Sequence, residues 1–219
     1  MSNQDSFLNE VTEEVRKDRL YAMFRRYGWI AAVLIVVIVA GTSWFEWQKS
    51  RAAAEAQATG DAILAAVESA EPEARAEALA ALDTGDNAAR SAVLALMQAD
   101  AALEAGDQEG ALAQLLAVAD DATVPTAYRD LATIKWSILG AGNVSVDDRI
   151  GRLNSIALGA GAFRLLAMEQ IALGEVERGN TEAALSQLRD IVEDAGVTQD
   201  LLVRARQVIV ALGGTLQNG

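Results

Sequence analysis

The chain has 219 residues, a formal net charge of −13 and neither cysteine nor histidine. Their absence from the sequence excludes thiol nucleophiles, disulfides, zinc sites with Cys or His ligands, and His-based acid–base catalysis. Because alanine is abundant, proline occurs only twice and aromatic residues are sparse, we predict an all-α fold.

The first segment, residues 1–26, is predicted to be a cytoplasmic juxtamembrane helix. Its apolar residues recur at helical spacing and form a modest stripe; they are Phe7, Leu8, Val11 and Val15. In one interpretation the basic end of this helix lies on a lipid surface. In the other, the helix docks onto a cytoplasmic or membrane partner. The spacing does not separate the two interpretations.

The second segment, residues 27–47, is predicted to be a transmembrane helix. No charged residue occurs in residues 27–45, which would span roughly 28 Å as a helix, close to the hydrocarbon thickness of a bilayer. Trp29 precedes the apolar centre at Val36, and Trp44 and Trp47 follow it. These four residues are the predicted membrane anchors, since tryptophan prefers the headgroup zone.

The charges around this segment predict its orientation. Arg16, Lys17, Arg19, Arg25 and Arg26 closely precede it, whereas only Lys49 and Arg51 closely follow it. This asymmetry predicts a cytoplasmic N-terminus and a periplasmic C-terminal domain at the bacterial inner membrane. A cleaved signal peptide is the alternative. It is disfavoured because its apolar run is usually only about 7–15 residues long, and because bulky aromatic residues stand where small residues should prepare cleavage.

The third segment, residues 48–219, is predicted to be a periplasmic α-solenoid of about four helical pairs. Turn glycines at Gly106, Gly142 and Gly179 lie 36 and 37 residues apart, which indicates a repeat. Pro72 suits the first turn of a helix in the first pair. A terminal helix is predicted near residues 199–212.

The clearest pair shows how each repeat is built. Small residues at Ala99 and Ala111 let two antiparallel helices approach closely, Gly106 can adopt the left-handed geometry that ends the first helix, and Asp107 can cap the second. This pattern resembles the tetratricopeptide repeat. The third pair departs from it, because Lys135 replaces a small residue and the second helix is displaced to about residues 147–150.

The layout of the whole chain resembles a bacterial family. Its features are Arg25-Arg26-Tyr27-Gly28-Trp29, the apolar segment, Trp44-Phe45-Glu46-Trp47, and the run from Ser50 to Ala56 that leads into the repeats. The family is the ancillary subunit of the Sec translocon, whose tetratricopeptide-like domain is shared with a cell-division coordinator. The resemblance implies contacts with translocon subunits and periplasmic chaperones.

No catalytic constellation is recognisable in the sequence. The pair Ser145 and Asp148 indicates a helix cap, and the carboxylate pairs have no EF-hand spacing. From Ala52 onward 25 acidic and 11 basic residues occur, a balance that disfavours nucleic acid. We therefore predict no enzymatic activity, cofactor, metal, nucleic acid or small-molecule substrate.

Function is instead predicted to lie on the concave face made by the first helices of the repeats. The register of the turn glycines places five candidate protein-binding residues there: Asp100, Arg129, Trp136, Glu169 and Leu173. Trp136 is the only tryptophan after the apolar segment. Two interpretations of it stay open, a binding anchor in the groove and a side chain that fills the core.

The predicted function is a membrane-anchored protein-binding scaffold. In the leading hypothesis the chain is an accessory subunit of the Sec protein-export machinery that recruits chaperones or emerging polypeptides. The alternative is a structural or accessory subunit of another inner-membrane complex, such as a cell-division, envelope or respiratory complex. A membrane-tethered enzyme is a third possibility, and it predicts a deep pocket with converging polar groups.

Overall fold

The structure, a computed structural model, describes the backbone of residues 3–68 and 71–215 and the side chains of residues 25, 29–30, 33–68 and 71–215. Every regular element in these ranges is an α-helix, which confirms the all-α prediction. In chain order the helices are α1 (Asn3–Val67), α2 (Pro72–Ala80), α3 (Ala88–Glu104), α4 (Gln108–Asp120), α5 (Thr126–Leu139), α6 (Val146–Ala157), α7 (Arg164–Glu177), α8 (Thr181–Glu193) and α9 (Gln199–Ala211).

The chain divides between residues 58 and 59 into two compact units. In the N-terminal unit, helix α1 is backbone-continuous through the segments that we predicted separately. The described side chains of residues 33–58 are exposed. The rings of Trp44 and Trp47 lie 5.4 Å apart, and the Arg51 guanidinium lies 5.2 Å from the centroid of the Trp47 ring. The predicted stripe of residues 7, 8, 11 and 15 lies outside the described side chains.

The prediction of a transmembrane helix over residues 27–47 is wrong. Among the helices that the described residues form, none is both long enough and apolar enough to cross a membrane. The side chains of residues 27, 28, 31 and 32, which the prediction also used, lie outside the described residues.

The predicted location in the inner membrane is not supported either, because it depended on the transmembrane helix. A single pass through the inner membrane, with a cytoplasmic N-terminus and a periplasmic C-terminal domain, requires a spanning helix, and the described residues provide none. Trp29, Val36, Trp44 and Trp47 are 52–66% exposed on α1. Their assignment as membrane anchors depended on the same helix.

The C-terminal unit, from residue 59 onward, is a stack of helical pairs. The last turns of α1 precede α2, and three further pairs follow as α3 with α4, α5 with α6, and α7 with α8, before the terminal helix α9. Each helix from α2 to α9 packs against the next one. The structure therefore confirms an all-α solenoid, with three packed pairs and a terminal helix among the described residues.

Two of the turns within pairs have the same hydrogen-bonding pattern. Gly106 has φ +85°; its N–H donates to the Leu103 carbonyl at 3.0 Å, and the N–H of Asp107 donates to the Ala102 carbonyl at 2.8 Å. These bonds satisfy carbonyls that the end of α3 leaves free. The Asp107 carboxylate then accepts the Gly110 N–H at 2.8 Å and caps α4, which confirms the predicted turn. Gly179 ends α7 in the same way.

The third pair is irregular, as the sequence predicted. Gly142 also has a positive φ of +80°, but α6 begins only at Val146, after Ser145 as its N-cap. The Ser145 hydroxyl accepts the Asp148 N–H at 3.1 Å and donates to the Asp148 carboxylate at 2.8 Å. This cap confirms the structural interpretation of the two residues and explains why α6 starts late.

Small side chains allow the helices to approach closely. Ala99 and Ala111, which the sequence assigned to close contacts, are at most 2% exposed, and so are Ala172 and Ala184 in the fourth pair. Leu115 and Leu188, also buried, fill the space beside two of them. The core is consequently distributed along the stack in several clusters, as expected for repeats that contact only their neighbours.

A pair of glycine substitutions tests the role of the turns. Gly106→Ala should lower the free energy of unfolding by about 1–2 kcal/mol, because an L-residue resists the left-handed conformation. Gly151→Ala, inside α6 with nothing within 4 Å of the added Cβ, should raise it by up to about 1 kcal/mol. Urea unfolding of the full chain, followed by far-UV circular dichroism, measures both. Equal effects of the two substitutions would contradict the assignment.

Candidate protein-binding face

The first helices of the pairs lie side by side along the stack. Helix α3 contacts α5, and α5 contacts α7. We call the surface that these helices share the first-helix face. Lys135 Nζ on α5 lies 2.6 and 2.7 Å from the two carboxylate oxygens of Asp100 on α3. This ion pair establishes which sides of α3 and α5 face each other.

A second ion pair continues the same arrangement. The Arg204 guanidinium on α9 donates to both oxygens of Glu169 on α7, at 2.8 and 2.9 Å. Both ion pairs join residues that are 35 positions apart. The hydrogen bonds that Arg204 donates to Glu169 raise the pKa of the Arg204 guanidinium. The charges between neighbouring first helices therefore neutralise each other.

One helical turn beyond these charges the first-helix face is apolar. Leu103, Ile138 and Leu173 are 43%, 53% and 40% exposed. Successive members of this set are 35 positions apart in the sequence. Leu103 stands three residues after Asp100 and Ile138 three after Lys135, so each shares a side of its helix with a member of the first ion pair. Leu173 stands four residues after Glu169. We call these three side chains the aliphatic row.

Helix α9 differs at the corresponding position. Val208 lies 35 residues after Leu173, but it is half-buried and packs against the core of the α7–α9 region. The aliphatic row is therefore formed by α3, α5 and α7, and α9 adds the arginine of an ion pair but no comparably exposed aliphatic side chain at this position.

The edge beside the aliphatic row is electronegative. The last turns of α3, α5 and α7 contain no basic residue. The second helices α4, α6 and α8 begin at the same edge, and the acidic residues in their first turns offset the partial positive charge of their N-termini. Arg178, just beyond α7, is held by the carboxylates of Glu175 and Asp147. In the part of the chain that the structure describes, this edge has more negative than positive character.

The structure separates the five predicted binding residues into two groups. Asp100, Glu169 and Leu173 lie on the first-helix face, the first two in ion pairs and the third in the aliphatic row. Arg129 donates to Thr126 Oγ1 at 3.1 Å and lines a cavity between α4, α5 and α6. Trp136 belongs to the core.

Trp136 is 6% exposed and packs in the cluster formed by α3, α4 and α5. The Arg152 guanidinium of α6 lies 5.2 Å from the centroid of its ring, and the same guanidinium donates to the Asp120 carboxylate at 2.7 Å. Arg152 thus bridges the second helices α4 and α6 above the tryptophan. This environment favours the core interpretation of Trp136.

Two polar cavities flank this arginine. One, of about 360 Å³, is lined by residues of α4, α5 and α6 that include Asp120, Arg129, Asp130 and Arg152. The other, of about 410 Å³, is lined by Trp136, Asp147, Asp148 and Arg152, among others. Burial raises the pKa of Asp130, although nearby Arg129 opposes the shift. Among the described residues, no cluster of three or more acidic side chains is placed to hold a metal ion.

The sequence reasoning missed Leu103 and Ile138. Their signal is an exposed aliphatic residue every 35 positions, whereas the turn glycines repeat after 36 and 37. Aligning the units on the glycines moves the register of α7 by three residues relative to α3. The row therefore becomes recognisable only when the ion pairs between helices establish which sides face each other.

Stacked antiparallel helix pairs joined by left-handed glycine turns define a helical-repeat protein of the α-solenoid class. The chain belongs to the tetratricopeptide repeat-like domain family, whose model matches residues 22–160. No curated protein and no solved structure matches the chain. The family match confirms the tetratricopeptide part of the resemblance and contains nothing specific to a translocon or to cell division. Domains of this kind are typically non-catalytic and mediate protein–protein interactions.

Replacing Trp136 tests whether it serves the core. Trp136→Ala should lower the free energy of unfolding by about 3–5 kcal/mol, the usual result of deleting a buried aromatic side chain. Leu173→Ala, at a position 40% exposed, is the control and should change it much less. Urea unfolding measures both variants. A Trp136→Ala chain that unfolds like the wild type would place the ring on a binding surface instead.

Replacing Asp130 tests the effect of its burial. The folded-state pKa of Asp130 is raised above the ordinary value of 3.8, so folding loses stability as pH rises from 3.8 through the folded pKa. Asp130→Asn stays neutral and should therefore raise the melting temperature at pH 7, but not at pH values below 3.8. Asp190→Asn, at an exposed position of α8, controls for the change in net charge. A lower melting temperature of Asp130→Asn at pH 7 would refute this account.

Proposed function

We propose that the chain is a protein-binding scaffold that holds its partner on the first-helix face. Membership of the tetratricopeptide repeat-like family supports protein partners in general. The aliphatic row is the observation from which we infer that the partner binds to this face. Three branched apolar side chains, one from each of three neighbouring helices, stand 40–53% exposed beside ion pairs that are already satisfied.

The energetics agree with a binding role. Half-exposed Leu and Ile side chains leave apolar area in water that a partner could cover, at roughly 25 cal/mol per Å². The adjoining charges impose little desolvation cost, because Asp100 is already paired with Lys135 and Glu169 with Arg204. A partner with apolar side chains can therefore bind here without separating an ion pair.

The finer proposal is that this scaffold is an accessory subunit of the Sec protein-export machinery, where it recruits chaperones or emerging polypeptides. It is supported by the resemblance in layout, above all by residues 25–29, 44–47 and 50–56. We assign the binding function to the predicted repeat domain, residues 48–219. A subunit of a cell-division, envelope or respiratory complex is the alternative, since the repeat features are equally compatible with it.

In-cell photo-crosslinking tests both levels of the proposal. A photoreactive residue at Ile138, in the aliphatic row, should crosslink to partner proteins several-fold more efficiently than one at Leu158. Leu158 is a matched control, because it is an aliphatic residue 88% exposed in the loop after α6, away from the row. Mass spectrometry of the Ile138 adducts should recover translocon subunits or chaperones.

Two outcomes would contradict the proposal at different levels. Equal crosslinking from Ile138 and Leu158 would show that the first-helix face is not the binding surface. Strong crosslinking from Ile138 to the subunits of a different complex alone would retain the scaffold and refute the assignment to protein export.

A further inference from the structure

We infer that the ligand of the aliphatic row is a basic amphipathic helix, with apolar side chains about seven residues apart and lysines or arginines beside them. This inference rests on the proposed function, because it specifies the partner of the same face. It follows from the spacing of the row, from the pairing of the charged side chains one helical turn before it and from the charge at its edge.

The spacing of the row restricts the ligand. Packed helices have axes about 8–10 Å apart, so the side chains from α3, α5 and α7 succeed one another at intervals of roughly 10 Å. A ligand that crosses the three helices needs apolar groups at the same interval. A helix meets this requirement with residues i, i+7 and i+14, since seven residues rise about 10.5 Å. An extended chain meets it only in the polyproline II conformation, in which every third residue lies on the same side and three residues rise about 9 Å.

The polar groups of the face decide between these two conformations. An extended ligand exposes backbone N–H and C=O groups, and each one left unpaired on burial costs about 1–3 kcal/mol. The charged side chains closest to the row, Asp100 with Lys135 and Glu169 with Arg204, already bond to each other. A helical ligand satisfies its own backbone. The row therefore suits a helix better than an extended chain.

The charge at the edge of the row determines the sign of the charge that the ligand should have. The C-terminal turns of α3, α5 and α7 contain no basic residue, and the chain from Ala52 onward has 25 acidic against 11 basic residues. Arg178, the cation just beyond α7, is already engaged by Asp147 and Glu175. Basic side chains next to the apolar stripe of the ligand would find complementary charge there, and acidic ones would be repelled.

The test uses three labelled peptides of about 18 residues in an alanine-rich helical background. The first has Leu at positions i, i+7 and i+14 and Lys beside them. The second has the same composition in an order that scatters the leucines around the helix. The third has Glu in place of every Lys. Fluorescence anisotropy with the full chain should show binding of the first peptide, at least about tenfold weaker binding of the other two, and weakening of the first by added salt.

Variants of the chain locate the binding site. Ile138→Gln and Leu173→Gln, both at exposed positions, should each weaken binding of the first peptide by about tenfold, which corresponds to about 1.4 kcal/mol. Leu158→Gln should leave it unchanged. Circular dichroism of all three variants checks that the helices persist. Equal binding of the ordered and scattered peptides would overturn the helical ligand, and equal binding of the Lys and Glu peptides would overturn its basic character.

The remaining outcomes separate this inference from the proposed function. If Ile138 crosslinks to partners in cells but the basic peptide does not bind, the scaffold stands and the ligand is of another chemistry. Sedimentation of the chain tests whether a second copy occupies the row. If the chain forms dimers, and if Ile138→Gln disrupts them but the first peptide does not, the inference is wrong. If peptide binding is insensitive to both Gln variants, the ligand lies elsewhere and the inference fails.

Discussion

The close approach of helices at fully buried alanines determines the spacing of the C-terminal unit. Ala111 in α4, Ala172 in α7 and Ala184 in α8 are 0% exposed, and a side chain this small brings helix axes towards the lower end of the usual range of about 8–10 Å. Leu115 and Leu188 then fill the adjoining space. Because each pair packs only on its neighbours, the same spacing passes from one pair to the next, and the first helices come to lie side by side.

That spacing also explains the charges on the first-helix face. Neighbouring first helices are close enough for Lys135 to reach Asp100 and for Arg204 to reach Glu169. The Glu169 side chain is only 8% exposed, and a carboxylate so buried requires a partner. The exposed pair contributes little to stability. Both pairs nevertheless remove net charge from the face, so its apolar positions adjoin a locally neutral surface on the side of the ion pairs and an acidic edge at the ends of the helices.

Local features of the sequence predicted most of the repeat unit. Gly106, Asp107 and Ser145 act through their own backbone conformation and through hydrogen bonds to residues at most a few positions away, so they could be assigned without tertiary contacts. The aliphatic row could not, because it depends on which sides of α3, α5 and α7 face each other, and the late start of α6 makes the turn glycines an inexact guide. Of the five predicted site residues, the three that lie on the first-helix face were selected through the register of the turn glycines. Trp136 was selected in the same way, but its large apolar ring packs in the core. The membrane helix was predicted from an uncharged run flanked by tryptophans, but no helix that the described residues form is both long and apolar enough to cross a membrane.

A comparison of α9 with α3, α5 and α7 shows that packing of the stack does not require the aliphatic row to be buried. In α9 the corresponding Val208 is used by the core, whereas Leu103, Ile138 and Leu173 remain 40–53% exposed. Folding therefore leaves similar apolar areas exposed on the first helices of three successive pairs. The interval between these areas is the distance from one pair to the next. Covering each area is favourable by a similar amount, since burial scales with apolar area. The affinity of a partner should consequently depend on how many first helices it crosses, so that the number of stacked pairs, more than any single contact, sets the strength of binding.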